Sequence, residues 1–410
     1  SCEPFNLEKP LNPEWWYYNG EPYNFDSFIK KHPGGIQAIK LGKGRDMTAL
    51  FHSYHTKLPS QQLLNKYKIN INEYKDNKTF KYALSINNET FTYNDDGFYR
   101  TVKTKAKEYF QQNNYSPKGG FIDIILWLIN LCALIGTSYY CSCGYKFASI
   151  AAVLSGISKS LLVIRSTHAA SHFAFSEYPT LNRFVYWINM SLLGDTPAQW
   201  TAKHVIAHHI DTNVGEIDDD TLFPVKRVIP SYVRYWYHSY QHLYIWGLYF
   251  FVYLPWTLSH NIKVIYYLWI HKTDLIENKT VIKLNGFIDY FELYSCIIIH
   301  HLFRLMPFFF IDSWTQAIII AVIQEFSGSV WFSLQFAVNH EIEETLSFGG
   351  AGTNGIWTEK RDYGVHQVIT SHNYSINNPS ALHLSGGLNY QIEHHLYPSV
   401  HAKHYPALSK

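Results

Sequence analysis

Apolar runs of membrane-crossing length alternate with polar, aromatic-rich stretches along this chain. Residues 121–140 (FIDIILWLINLCALIGTSYY) and 146–164 (KFASIAAVLSGISKSLLVI) are each close to the roughly 20 residues that span a hydrocarbon core, and only CSCGY separates them. That spacing predicts a helical hairpin. Residues 290–310 (YFELYSCIIIHHLFRLMPFFF) and 314–338 (WTQAIIIAVIQEFSGSVWFSLQFAV) predict a second one. The segment 235–256 is more polar and aromatic, and reads as a helix lying in the membrane interface. Two hairpins leave both termini, with 165–288 and 339–410, on one side of the bilayer.

Ahead of these runs the pattern is that of a soluble protein. Residues 1–75 read as a small domain, in which EWWYYNGEPYNFDSF supplies aromatic and turn signals before HPGG and a short helical pattern. Residues 76–96 are polar and mixed, and read as a linker with some extended structure. In 97–113, Phe98, Val102, Ala106 and Phe110 recur at helical spacing among Lys and Arg. This predicts either an amphipathic helix on an anionic membrane surface or an ordinary surface helix. The chain thus divides into a soluble domain at 1–75, a linker and juxtamembrane segment at 76–118, and a membrane domain at 119–410.

Composition narrows this picture. The formal net charge of +2 argues against a nucleic-acid partner, and the 17% aromatic content suits a chain with rings at a membrane interface. A mean hydropathy of −0.15 is too polar for a wholly embedded chain. Cys2, Cys132, Cys141, Cys143 and Cys296 show neither zinc spacing nor a small disulfide framework, so a reducing, cytosol-facing environment is expected. The stretch SCEPFNLEKP contains no apolar run of the secretory-signal type.

The 22 histidines change the picture most. HAASH holds His168 and His172, HVIAHH holds His204, His208 and His209, and QIEHH holds Gln391, His394 and His395. On an α-helix, residues four apart share a face, so His168/His172 and His204/His208 are each expected to aim at one metal. The adjacent pairs His208-His209 and His394-His395 splay by about 100° and suit two metals. One such helical pair alone is usually a surface or core feature. Three clusters in regions placed on one membrane side point to metal. Imidazole suits Zn, Cu, Fe and Ni alike, but seven histidines exceed the four ligands of a closed structural zinc site.

An electron donor decides among these metals. His32-Pro33-Gly34-Gly35, followed by Asp46, Thr48, Phe51 and His55, resembles the cytochrome b5 family. The resemblance implies haem b with His32 and His55 as axial ligands, both positions filled, which suits one-electron transfer rather than oxygen binding. His52 competes with His55 for the second role.

With this donor joined to the three histidine clusters, the chain resembles the front-end acyl desaturases that carry an N-terminal cytochrome b5 domain. SHFAFSEYPTLN, WTAKHVIAHHIDTN, DYGVHQVITSHNYS and GGLNYQIEHHLYP extend the resemblance over nearly the whole chain, and Gln391 is the Gln that begins the third cluster in this subgroup. The fold class it implies is an α+β haem domain fused to an all-α membrane domain of about four transmembrane helices. It implies two non-haem irons held by His168, His172, His204, His208, His209, His340, His394 and His395, with Gln391 and Asn339 in contact with that shell or bridging to it by water. The activity implied is insertion of a cis double bond into a polyunsaturated acyl chain, on CoA or phospholipid, using O2 and electrons relayed from an NADH-dependent cytochrome b5 reductase. The alternatives are a sphingoid-base desaturase, a hydroxylase, or a non-catalytic subunit that retains the fold. The implied location is an integral membrane position in the endoplasmic reticulum, or another organelle, with both termini cytosolic.

Two features depart from the family pattern. Ala169 stands where many relatives have Asp, and the sequence stops at HYPALSK where relatives run on. His300-His301 lie inside an apolar run without a third partner and predict interhelical hydrogen bonding. His366 and His372 fall near the clusters with no role assigned, and His401 and His404 are expected at the surface.

Overall fold

The computed structural model describes residues 12–55, 58–70, 91–215, 218, 220, 224–230, 232–277, 280–284, 286–349 and 360–410. The first residues and most of the 76–96 linker, with its expected extended structure, lie outside these. The chain forms two compact units, one of residues 1–114 with 359–365, the other of 115–358 with 366–410.

The smaller unit begins with an antiparallel hairpin, β1 (Trp16–Tyr18) and β2 (Glu21–Tyr23), in the register Trp16↔Tyr23. Its two-residue turn is Asn19-Gly20, both at positive φ, the combination that matches the twist of hairpin strands. Trp16, Tyr23, Phe25, Met47, Phe51 and Leu64 build a core beneath it. Two short helices follow, α1 (Gly35–Lys40) and α2 (Thr48–Tyr54). Asp46 fixes the start of α2, because its Oδ1 accepts from the Thr48 amide at 2.9 Å and the Thr48 hydroxyl at 2.7 Å. The DxT element is therefore a helix-start device.

Helix α3 (Phe98–Asn113) belongs to this unit and buries Tyr99, Lys103, Ala106 and Phe110. The buried stripe is offset from the predicted one, since Phe98 is exposed and Tyr99 is covered. Lys103 places its ammonium on the Ser53 carbonyl at 2.6 Å. Of the two readings of this segment, a helix packed on its own domain accounts for the buried face.

In the larger unit, α4 (Phe121–Ser142) and α5 (Ala148–Ser171) form the first predicted hairpin. Helices α6 (Pro179–Leu193), α7 (Gln241–Phe250), α8 (Tyr253–Val264), α9 (Phe287–Arg304) and α10 (Trp314–His340) follow. Among the described residues three helices are long and apolar enough to cross a membrane: α4, α5 and α10. They turn Phe121, Ile122, Ile129, Ile150 and Ile318 outward. The run at 290–310 is interrupted. Helix α9 ends at Arg304 and a separate turn, Met306–Phe310, starts beside Pro307. Proline cannot continue a helix ladder. Asp289 and Glu292 anchor the first turns of α9 to Arg183 at 3.3 and 2.5 Å. The 235–256 stretch contains α7, which buries no residue and exposes Leu243, Trp246 and Phe250.

Helices α5 and α10 cross at two glycines. A Cβ on Gly156 would lie 2.4 Å from the Gln324 carbonyl oxygen and 2.7 Å from the Gly328 nitrogen. Small residues permit such backbone approach between membrane helices. Ser160 bonds across the same seam to the Gly328 carbonyl at 2.7 Å and to the Tyr253 hydroxyl at 2.8 Å. Gly156 precedes His168, and Gly328 precedes His340, by twelve residues each. The crossing therefore sets the relative height of the two histidines. Gly156→Val should separate the helices, cost about 1–3 kcal/mol or more, and lower iron retention. Thermal unfolding and metal analysis of the purified variant check this, and a wild-type melting curve with full iron would refute it.

Candidate metal centre

Four stretches of chain bring eight buried histidines together. His168 ends α5 and His172 caps it, His340 ends α10, and α11 (Gln391–Leu396) carries His394 and His395. The other three sit on or beside a π-helical segment, Thr201–His208. The π geometry adds a second pairing to the predicted one of His204 with His208, which recurs in a group with Asp220. An i to i+5 bond joins the His209 amide to the His204 carbonyl at 3.1 Å, so residues five apart also come into line. His204 thus groups with His209, while His208 also faces the other way.

Two groups result. The ring nitrogens of His168, His172, His204, His209 and His394 lie within 4.8 Å of one another, as do those of His208, His340 and His395. A third grouping joins His204 and His208 with Asp220. His208-His209 and His394-His395 are each divided between the two main groups. The closest approaches are between Nε2 atoms: His168 to His204 at 2.8 Å, His394 to His209 at 2.9 Å, and His204 to His209 at 3.2 Å.

The outer nitrogens show which atoms are free to bind. The Nδ1–H of His340 donates to the Thr370 carbonyl at 2.9 Å. His395 Nδ1–H donates to Gln367 Oε1 at 2.8 Å, and Gln367 is oriented by its own donation to the His209 carbonyl. The Tyr405 hydroxyl donates to the Val400 carbonyl, so it accepts from His394 Nδ1–H at 3.1 Å. His208 Nδ1 faces the Asp218 carboxylate at 3.0 Å. Each ring is thereby held in the tautomer that aims an Nε2 lone pair inward. The Nε2 of His208 is buried with no hydrogen-bond partner among the described residues. Burial, then repulsion from neighbouring rings, pushes His172, His204, His209, His394 and His395 well below the ordinary imidazole range. These rings are neutral at physiological pH and so able to act as ligands. For His208 burial acts in the same direction, but Asp218 and Asp220 outweigh it and raise the ring. The donor set fits two divalent cations.

Gln391 closes the smaller group. Its Nε2 lies 2.8 Å from His340 Nε2 and 3.1 Å from His395 Nε2, and Asn339 Nδ2 donates to its Oε1 at 3.2 Å. Asp218, Gln367, Thr370 and Tyr405 escaped the sequence reading. Asp218 had a visible signal, the acidic run EIDDD ten residues beyond His208.

The remaining histidines lie apart from these groups. His300 donates toward the Leu192 carbonyl at 3.2 Å, and His301 meets Asn261 at 2.8 Å, both between helices. His366 is fully buried, packed near Phe348. His401 and His404 are covered instead of exposed, because the last residues fold back: the His401 amide bonds to the Pro117 carbonyl, and His401 faces Asp123 at 3.6 Å.

In the smaller unit, His32 and His55 face each other with ring centroids 6.0 Å apart. His55 Nδ1–H donates to the Phe51 carbonyl at 2.9 Å, and His32 Nδ1–H to the Gly35 carbonyl at 3.3 Å. Both Nε2 atoms are left as ligands. Gly34 has to be glycine, because a Cβ there would lie 2.9 Å from the His32 ring. His52 is engaged elsewhere. It stacks on Tyr93 at 4.0 Å and its Nε2 meets the Tyr18 hydroxyl at 3.4 Å.

Residues 146–410 match the fatty acid desaturase family. The chain belongs to that family. Residues 5–70 match the cytochrome b5-like haem/steroid binding domain. Among similar proteins, the probable Delta(5) fatty acid desaturase C of Dictyostelium discoideum is 30% identical over 96% of this chain and 84% of its own length. Acyl-lipid (8-3)-desaturase B of the same organism is 27% identical over 97% of this chain and 84% of its own. The chloroplastic acyl-lipid (7-3)-desaturase of Chlamydomonas reinhardtii is 28% identical over 95% and 73%. This desaturase is an oxidoreductase that uses haem and a di-iron centre, within an electron-transfer chain acting on lipid with O2.

Asp218→Asn should leave the His208 ring poorly oriented and weaken metal binding in the smaller group roughly 10–100-fold. A chelator titration with iron counting reads this. Release curves identical to the wild type would remove Asp218 from the site.

Proposed function

We propose that this desaturase is a front-end enzyme, inserting a cis double bond between an existing double bond and the carboxyl end of a polyunsaturated acyl chain. The observation that carries the proposal is the complete pair of histidine groups in a chain that also carries a cytochrome b5 unit. A retained but non-catalytic fold has no need for eight converging imidazoles. The acyl-lipid and fatty acid names of the relatives favour an acyl chain over a sphingoid base.

In this reading His168, His172, His204, His209 and His394 hold one iron, and His208, His340 and His395 hold the other, with Gln391 at its open side. Iron bound there supplies the O2-dependent oxidation that an alkyl C–H bond requires, since such a bond offers no acidic proton. The protein's own share is placement. Thr370, Gln367, Tyr405 and Asp218 fix the rings, the packed helices exclude water, and the acyl chain is set with one carbon pair beside the metals. His32 and His55 hold haem b through Nε2. Electrons come from an NADH-dependent cytochrome b5 reductase, and the acyl donor is phospholipid or acyl-CoA.

We further propose that the haem domain spans 1–75 and the desaturase domain 119–410, with 76–118 joining them. The α9 segment would complete a fourth crossing, and both termini would face the cytosol at the endoplasmic reticulum.

Expression in a desaturase-poor host fed defined polyunsaturated acids tests the activity. Mass spectrometry should find a new double bond on the carboxyl side, absent with His394→Ala/His395→Ala. Folded protein with both cofactors and no new product would overturn the proposal. The haem assignment has its own readout: His55→Ala should lose the Soret band, while His52→Ala should retain it.

A further inference from the structure

One cavity in the larger unit is lined both by charged side chains and by histidines of the metal groups. Its lining includes His168, His172 and His394, the apolar Leu126, Trp127, Leu161, Phe175 and Leu388, and the titratable Asp123, Arg165, His401 and Lys403.

Arg165 is the unusual member. It lies inside the apolar helix α5, in a π-helical turn, Leu162–Thr167, that leads directly into His168. A charge within such a helix is costly, and it normally faces a partner or a polar cavity. Arg165 makes no hydrogen bond or ion pair among the described residues. Asp123, the carboxylate in the same lining, is engaged by the Gly120 amide at 2.8 Å, by His401 at 3.6 Å and by Lys403 at 3.8 Å. His401 is itself neutral near pH 7, because burial pushes it down to about 4. Arg165 and Lys403 against Asp123 leave one positive charge in excess. The guanidinium stem is also held in place. Gly386, at positive φ, packs so tightly that a Cβ there would lie 2.3 Å from the Ile164 carbonyl and 3.0 Å from Arg165 Cγ.

Resting on the desaturase reading above, we infer that Arg165, assisted by Lys403, binds the phosphate-bearing head of the acyl donor and so sets the distance from that head to the metals. A guanidinium fork is matched to phosphate oxygens, and the same cavity offers apolar side chains and the histidines. Arg165 precedes His168 by three residues, a rise of about 4.5 Å on a helix. Both residues line the same cavity, so a head group held at Arg165 limits how far the acyl chain advances toward the histidines. The geometry thus supplies a ruler set from the head-group end. Arg165 is here a binding and positioning residue, and the oxidation itself does not involve it.

The test uses the full-length protein loaded with iron and haem. Three probes carry one polyunsaturated chain: its CoA thioester, its phosphatidylcholine in nanodiscs, and its methyl ester, which has no phosphate. Arg165→Gln should weaken binding of a phosphate-bearing probe roughly tenfold or more, leave the methyl ester unaffected and keep the iron content. Arg165→Lys should recover part of the loss, Lys403→Gln should show a smaller one, and products of Arg165→Gln should include shifted double-bond positions. Whichever phosphate probe shows the Arg165 dependence is the natural donor class. Unchanged affinity for both phosphate probes in iron-loaded Arg165→Gln would overturn the inference, as would equal loss for all three probes. Should Arg165→Gln not fold, the same comparison on Arg165→Lys and Lys403→Gln decides. Turnover separates the two readings: wild-type protein that forms no product from any probe removes the desaturase assignment, whereas normal turnover with an indifferent Arg165 removes only the ruler.

Discussion

Eight imidazole rings point lone pairs into one dry volume, and the larger unit is organised around that constraint. Ring nitrogens 2.8–2.9 Å apart need a positive centre between them, either a proton shared as a hydrogen bond or a metal cation. Burial forbids the obvious relief, protonation, because a charged ring would lose its hydration. A cation among the rings meets the same need, and outer hydrogen bonds prepare His208, His340, His394 and His395 for it by occupying Nδ1. A carbonyl at Thr370, an amide at Gln367, a phenol at Tyr405 and a carboxylate at Asp218 serve one purpose through different chemistry. Only the carboxylate adds charge. It sits at the smaller group, where three histidines meet instead of five, so the protein offsets fewer ligands with a stronger field.

Holding the rings at the right height is a separate problem, and the membrane helices solve it. The glycine crossing of α5 and α10 forbids side chains at the point of contact, and from there each helix runs twelve residues to its histidine. A helix rises about 1.5 Å per residue, so any sliding at the glycines would be transmitted to the metal site. The Ser160 bonds to Gly328 and Tyr253 oppose such sliding. Elsewhere α4, α5 and α10 turn apolar side chains such as Ile129, Ile150 and Ile318 outward.

That these eight histidines would converge was legible in the sequence, because repeated histidine clusters have few other uses. Their division into groups was legible only in part. An α-helical reading pairs His204 with His208, and the π turn pairs it with His209, a change that depends on one displaced backbone hydrogen bond. His401 and His404 look like surface residues in a polar tail, and they are covered because the tail returns to Pro117. Hydropathy along the chain found the first hairpin. It could not show that Pro307 would break the 290–310 run or that Arg183 would hold Asp289 and Glu292, since the partners lie about a hundred residues away.

The two units use the same device, an imidazole fixed through Nδ1, and differ in where the partner comes from. His32 and His55 donate to carbonyls three and four residues away. A local turn then suffices to build each haem ligand, and a short motif can specify it. In the larger unit the partners of His340, His394 and His395 come from other segments, up to 30 residues distant, and the eight rings together come from four parts of the chain. Such a site cannot form before the surrounding fold does, because each contact closes a long loop whose entropy must first be overcome. This is why HPGG with its following residues reads as a haem site from a stretch of some two dozen positions, while the metal centre needs the whole unit to become visible. It is also why tight turns such as Gly34 beside His32 mark the first site, and helix packing far from the metals marks the second.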